Sequence, residues 1–350
     1  MKQKNIGCGY LYFYIHFVVE VVCFYFLSMV TNNSFFVWLI PFIYDALAFV
    51  PQSLMGYAND KNPKLRLDYL GTILLIISML LFSFTNLNVY LMLIILCLGN
   101  ACLHVSGAEV TLKNSNGMLS HSAIFVAGGS FGVISGKLLA MTNIPSWILI
   151  ILIISIIPFI MLANTYNSNN NSCDKFEYTN KKINSKIIIL CALIVVIVRG
   201  YMGYGIPTSW NKTIIQTIIL YVTMGIGKAM GGILSDRFGI RKIAVISTLL
   251  SVPFLCFGNN LMIVSLIGVM MFSMTMPITL AILVSELKRT PGLAFGITTI
   301  GLFLGTAPIF FIKITNSIFN ICLIILMSLL CLLLLMYVLR KENENGRVDI

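Results

Sequence analysis

Charge is what this chain has least of. Only 12 acidic and 23 basic residues occur in 350, against 58% hydrophobic positions and a mean hydropathy of +0.95. A water-soluble globule needs more polar surface than that, so the composition excludes one and makes a bilayer the solvent. No C-x-x-C pair is present and the nine cysteines are scattered, which supports neither a disulfide framework nor a zinc site. No H-E-x-x-H pattern joins the three histidines to the carboxylates, and no G-x-x-x-x-G-K-[ST] phosphate loop exists to draw on ATP; the nearest approach, Gly225-Ile-Gly227-Lys228, lies inside an apolar run. The formal charge of +11 is spread over short loops between apolar segments instead of one solvated face, so nucleic acid is not an expected partner.

What is present is apolar length. A helix needs about 20 apolar residues to cross the hydrocarbon. Twelve such runs occur, at about 8–30, 35–58, 68–86, 89–109, 122–141, 145–164, 187–206, 213–234, 243–259, 261–284, 293–312 and 317–339. None shows the ten-residue alternation of a membrane barrel strand. The expected fold class is all-α integral membrane with 12 transmembrane helices. Lys2 and Lys4 precede the first run as in a signal peptide, but the run is longer than a signal core. Its end, Met29-Val-Thr-Asn-Asn-Ser34, lacks a small-x-small cleavage pattern, so it reads as a retained helix.

Basic residues stay preferentially in cytoplasmic loops. With the N-terminus inside, Lys2, Lys4, Lys61, Lys64, Arg66, Lys113, Lys175, Lys181, Lys182, Lys186, Arg237, Arg241, Lys242, Lys288, Arg289, Arg340, Lys341 and Arg347 share that side, and an even number of crossings returns the C-terminus to it. The expected location is the plasma membrane, multi-pass, with both termini cytoplasmic. Outer loops of a few residues offer no surface for a large partner, and a monomer is expected. The one long connection, from Ala163 to Lys186, begins with the polar stretch Asn164 to Ser172 and reads as a linker without a packing face. The expected division is an N-terminal six-helix bundle over 1–164, a cytoplasmic linker over 165–186, a C-terminal six-helix bundle over 187–340, and a cytoplasmic tail over 341–350.

Two loops 176 positions apart read almost alike: Gly56-Tyr-Ala-Asn-Asp60-Lys61-Asn-Pro63-Lys64 and Gly232-Ile-Leu-Ser-Asp236-Arg237-Phe-Gly239-Ile-Arg241-Lys242. Each follows one apolar run and precedes another, so the chain is one membrane module written twice. The glycines allow neighbouring helices to approach closely. Each aspartate stands at the negative end of its own helix dipole, which requires a cation or another helix's N-terminus to compensate it. Gly232-x-Leu234-x-Asp236-Arg237-x-Gly239-x-Arg241-Lys242 resembles the signature loop of the major facilitator superfamily, and Gly56-x-x-x-Asp60-Lys61 resembles its first-half copy, with Pro63 where glycine is usual. That resemblance implies two pseudo-symmetric six-helix bundles around a central cavity that opens to each side in turn, with Gly56, Asp60, Lys61, Gly232, Asp236, Arg237, Gly239 and Arg241 as the gating motif. Gly99-Asn100-Ala-Cys-Leu-His104, with Phe125 to Gly136, is loosely similar to the fosmidomycin-resistance group of exporters, with Val105 where that group tends to have proline. Gly128, Gly132 and Gly136 recur every four residues, as do Gly301 and Gly305, and read as faces for close helix packing.

Ionisable groups inside spans are costly unless they meet a partner or a wet cavity. His16 and Glu20, one helical turn apart, with Asp45 in the second span, form the expected proton-coupling site; a static ion pair is the competing reading. Arg199 keeps its charge and needs an anion, either a carboxylate such as Glu20 or Asp45 or the solute itself. Arg199, Lys228, Gln52 (the repeat counterpart of Lys228) and His104 are the candidates for lining the solute cavity, while Lys137 snorkels to the interface. Glu109 and Glu286 read as gating or structural pairs. Pro277 is expected to kink its helix and free carbonyls for Thr275 or Thr279.

The reading is a secondary active transporter that is not an enzyme and has no cofactor. It moves a small-molecule solute, anionic or drug-like, with protons as coupling ion, and the exporter likeness favours efflux by antiport. Besides solute and protons, the lipid bilayer is the only other expected partner. The alternative is a receptor or scaffold that keeps the fold without transporting.

Overall fold

The computed structural model describes residues 6–31, 38–62, 64–142, 144–165, 173–312, 314 and 316–340. Lys2, Lys4, Pro63, Lys313, Lys341, Arg347, the tail 341–350 and the 166–172 part of the linker lie outside the described residues. Hydrocarbon offers no partner for backbone N–H and C=O groups, so each crossing segment must satisfy its own, and a helix does so. Among the described residues, twelve helices are long and apolar enough to cross a membrane: α1 (Gly7–Thr31), α2 (Leu39–Lys61), α3 (Leu67–Phe84), α4 (Val89–Lys113), α5 (Leu119–Ala140), α6 (Ile148–Thr165), α7 (Ser185–Gly205), α8 (Ile214–Phe238), α9 (Ile240–Phe257), α10 (Met262–Glu286), α11 (Pro291–Phe310) and α12 (Ser317–Val338). Each expected run has its helix. The chain is a multi-pass, all-helical membrane protein.

Helix ends depart from the apolar runs where a polar last turn remains helical. α4 runs on to Lys113 and α8 to Phe238, past the expected ends at 109 and 234. Those extra turns carry Lys113 and the Asp236-Arg237 pair. In α10 the helix breaks at Met274, three residues before Pro277, because that ring cannot donate to the carbonyl four residues back. Thr275 gives its hydroxyl to the Phe272 carbonyl at 2.8 Å and Thr279 to that of Met276 at 2.8 Å.

The glycine faces pack as their spacing predicts. Gly128, Gly132 and Gly136 of α5 press on the carbonyls of Phe13, Phe17 and Val21 of α1, and Gly305 of α11 presses on the Ile197 carbonyl of α7; a Cβ at any of the four would collide with backbone. α3, α6, α9 and α12 turn large apolar side chains outward, among them Ile73, Ile151, Leu249 and Leu326.

The expected absence of a packing face in the linker is corrected. Cys173 and Phe176 are buried, and the Cys173 N–H donates to the Lys288 carbonyl between α10 and α11 at 2.8 Å. Farther on, Thr179 forms an isolated antiparallel bridge with Leu339, supported by Asn180 N–H to Val338 C=O and Arg340 N–H to Tyr178 C=O, both 2.9 Å. Polar neighbours masked Cys173, Phe176 and Tyr178 in the sequence. Three residues suffice to dock a short segment when free carbonyls lie beneath it.

Candidate functional site

Two seams join the halves: α2 against α11, and α5 against α8. At one end of each seam an aspartate from one half caps a helix of the other. Asp60, at the end of α2, receives the Gly292 N–H at 3.1 Å and the Leu293 N–H at 2.8 Å, where α11 begins. Asp236, near the end of α8, receives the Leu119 and Ser120 N–H groups at 2.8 Å each, where α5 begins. A carboxylate there satisfies donors no helix can satisfy itself and meets the positive end of a dipole. The partner required by the sequence is thus another helix's N-terminus, in both copies.

Glycine makes each clamp reachable. A Cβ on Gly56 would run into the Gly292 carbonyl, and one on Gly232 into the Ala123 side chain and Leu119 backbone. Gly239 ends α8 at φ 95°, the left-handed region that turns the chain into α9 without a Cβ clash. Lys61 lies over the Tyr57 ring at 5.6 Å, Arg237 over Phe238 at 5.2 Å, and Arg241 donates to the Leu339 carbonyl at 3.0 Å. Lys61 and Arg237 are exposed, whereas Arg241 is partly buried against the end of α12.

At their opposite ends the seams close differently. Phe42 of α2 packs on Phe303, Phe310 and Phe311 at the end of α11, with ring centroids 5.2–5.9 Å apart. Lys137 of α5 donates to the Tyr221 hydroxyl of α8 at 3.1 Å. The sequence reading had Lys137 snorkelling to the interface; it bridges the seam because a tyrosine stands opposite. Each seam is therefore fastened at both ends, by charge at one and by aromatic contacts at the other.

Between those ends, inside the N-terminal half, lies a buried His–His–Glu cluster. His16 Nδ1 meets the Phe125 carbonyl at 2.8 Å and His104 Nδ1 the Asn100 carbonyl at 3.0 Å. A carbonyl only accepts, so both Nδ1 atoms carry hydrogen. The Nε2 atoms then face one another at 2.8 Å, with Glu20 Oε1 at 3.1 Å from His104 and 3.7 Å from His16. Two lone pairs and a carboxylate cannot converge unshielded in a buried site, and the three ligand atoms lie within 4.8 Å of one another, close enough to share one small cation such as a proton. The spacing of His16 and Glu20 was visible in sequence; His104, assigned there to the solute cavity, completes the cluster from 88 positions away. Its neighbour Asn100 donates to the Tyr44 hydroxyl at 3.0 Å, which ties the cluster to α2.

The other candidates are dispersed. Asp45 is partly buried on the α2–α11 seam, with Thr306 as its hydrogen-bond partner at 3.5 Å, and makes no ion pair with His16 or Arg199 among the described residues. Gln52 is fully buried and donates to the Ala48 carbonyl of its own helix at 2.8 Å. Lys228 crosses the α5–α8 seam to the Ser130 hydroxyl at 2.8 Å. Gly128-x-Ser130-x-Gly132 has the spacing of a hydrolase elbow, but it sits mid-helix in α5, without the strand-to-helix turn that exposes such a serine. Arg199 is buried in the C-terminal half and pairs with neither Glu20 nor Asp45; its side-chain partner is the Thr279 hydroxyl at 3.3 Å.

Loop charges follow their neighbours. Lys288, then Lys181, holds the Glu177 carboxyl below its ordinary range, while burial pushes the Cys173 thiol up to about 12. Glu286 accepts from the Thr179 hydroxyl, so the linker and the end of α10 share a polar contact.

No protein-family model matches the chain, and no curated protein matches it in sequence. Solved structures do match in shape. The E. coli fucose:proton symporter FucP superposes with a TM-score of 0.65 at 14% identity, over 95% of this chain and 97% of that one. The human organic anion transporter MFSD10 gives 0.65 at 12% identity, over 95% and 97%. FucP in the outward conformation, described as a major facilitator superfamily transporter, gives 0.57 at 15%, over 93% and 99%. With its twelve spans and paired clamps, this chain has the major facilitator fold.

Proposed function

We propose that the protein is a secondary transporter that moves a small solute across the plasma membrane by alternating access, driven by protons. The observation that carries this reading is the pair of aspartate clamps, Asp60 on α11 and Asp236 on α5, which join the halves across both seams at one end only. Hydrogen bonds to a charged group contribute about 1.5–3 kcal/mol each, less the cost of taking the carboxylate out of water. A few such bonds hold a closed face firmly yet stay within reach of the differential affinity of a ligand for two states. The aromatic contacts at the far ends can separate while the clamps hold, and the clamps can open while the aromatics hold.

Halves spanning 1–164 and 187–340 rock as units, with both termini and the clamped face on the cytoplasmic side, as the basic loops indicate. The His16–Glu20–His104 cluster loads and releases the proton. It borders both α2, through Asn100 and Tyr44, and α5, through Phe125, so its charge state bears on both seams. The fucose:proton symporter and the organic anion transporter supply precedents in this fold for proton coupling and for an anionic solute. The exporter likeness on α4 and α5 supports efflux by antiport of an anionic or drug-like compound, carried by a monomer.

The test is flux in proteoliposomes of a solute found by thermal-shift screening of the purified protein. Solute accumulation that follows an imposed pH gradient and collapses in the Asp60→Asn/Asp236→Asn double variant is expected. A folded wild-type protein that binds the solute but moves neither it nor protons sinks the transport reading and leaves a receptor.

A further inference from the structure

One full positive charge is buried away from both seams. Arg199 of α7 is 8% exposed and borders a cavity lined by α7, α9, α10 and α12, all of the C-terminal half. No acidic side chain pairs with it among the described residues. Its contacts are the Thr279 hydroxyl at 3.3 Å and the Phe272 ring, whose centroid lies 5.5 Å from the guanidinium carbon. A neutral hydroxyl and a ring face do not balance a charge held out of water, where breaking up an ion pair is costlier than removing it whole.

Three polar atoms on residues of this same cavity wall have no hydrogen-bond partner among the described residues: Arg199 Nε, Thr248 Oγ1 and Ser328 Oγ. Each can donate, and they come from three different helices. Thr275, also on the wall, has already given its hydroxyl to the Phe272 carbonyl and does not compete. The free space of the cavity whose wall carries them is about 10 Å³, room for the centre of one water-sized particle and too little for a carboxylate or sulfate. A water would occupy the donors and leave the charge unbalanced.

We propose that this cavity binds a single monatomic anion, chloride. The ion sits between Arg199, Thr248 and Ser328, neutralises the guanidinium and receives the three orphaned donors, tying α7 to α9 and α12. It is a resident of the C-terminal half and takes no part in the solute pathway, so the inference is independent of the transport reading.

The test compares melting temperatures of the purified full chain in chloride and in gluconate at equal ionic strength. Raising chloride from about 1 to about 100 mM is expected to lift Tm by about 3 °C or more. Arg199→Gln should be blind to chloride. Because that variant risks misfolding, Thr248→Val/Ser328→Ala, which keeps the arginine, carries the decision: its apparent chloride affinity should fall at least tenfold. Crystals grown in bromide should show an anomalous peak beside the Arg199 guanidinium. A wild-type Tm indifferent to chloride, a response undiminished in the double variant, or water where bromide is expected would overturn the proposal.

Discussion

Asn59 of α2 donates its side-chain amide to the Glu109 carboxylate of α4, and the same carboxylate takes the Lys113 ammonium one turn further on. This network sits one residue before Asp60 and sets the end of α2 against α4 inside the N-terminal half. Glu109 is 5% exposed, so its removal strands a partly buried cation and a buried amide. Glu109→Ala should cost about 3 kcal/mol. Adding Lys113→Met should recover part of that loss, so the double variant's Tm should lie above the Glu109→Ala single variant's; strict additivity of the two changes would show that the pair is uncoupled.

Neutralising a clamp should slow transport without unfolding the protein. Asp236→Asn keeps the size of the side chain but gives up the charge facing the α5 N-terminus, and Asp60→Asn does the same at α11. Each should lower flux at least about tenfold, equivalent to about 1.4 kcal/mol, with the helical signal and detergent elution unchanged. Undiminished flux in both would remove the clamps from the mechanism.

Adding one methyl at the seam should force it apart. In Gly56→Ala the new carbon meets the Gly292 carbonyl, which is backbone and cannot swing aside. Overpacking of this kind costs about 1–3 kcal/mol, and hydrogen exchange at residues 292 and 293 should accelerate as the Asp60 bonds lengthen. Gly203→Ala is the control, because nothing lies within 4 Å of its added carbon; its exchange pattern should match the wild type.

Removing the acid of the buried cluster separates coupling from carriage. Glu20→Gln and His104→Asn should abolish accumulation driven by a pH gradient while solute exchange continues. Asp45→Asn, whose hydrogen-bond partner is Thr306 rather than a member of the cluster, should retain gradient-driven accumulation. The reverse pattern would move the proton site to Asp45.

Acid should loosen the linker. Lys288 and Lys181 lie 3.3 and 3.4 Å from Glu177 and lower its pKa, so the folded state favours the ionised carboxyl. Its contribution is present at neutral pH, above the ordinary carboxylate range, and disappears as pH falls through the lowered value. The side chain is 47% exposed, so the effect is small and weakened by salt. Protection of the 173–180 amides, taken relative to their intrinsic exchange rate at each pH, should fall toward acid pH in the wild type, and Glu177→Gln should show that lower protection already at neutral pH.

Local rules carried much of this architecture, and long-range pairing carried the rest. Apolar run length located every span, and the sign of the helix dipole dictated that Asp60 and Asp236 must meet something positive. Which helix supplied it was not legible, since the contacts bridge 233 and 117 positions. The same limit hid His104 from His16 and Glu20. Arg199 was recognisable as a buried charge, but its separation from Glu20 and Asp45 depends on helix arrangement and not on helix content. Phe42 and its three aromatic partners had no signal at all, because phenylalanine is ordinary in a chain this apolar.

The linker touches both bundles at once: its Tyr178 hydroxyl donates to the Gly117 carbonyl just before α5, while its backbone pairs with the end of α12. In the transport cycle proposed above, a strap anchored in this way across the clamped face lets go of one shore before that face parts. Its grip would then add to the threshold for exposure on that side alone, and a ligand or protease that seizes or cuts the strap from the aqueous phase would bias the direction in which the protein faces without reaching the membrane.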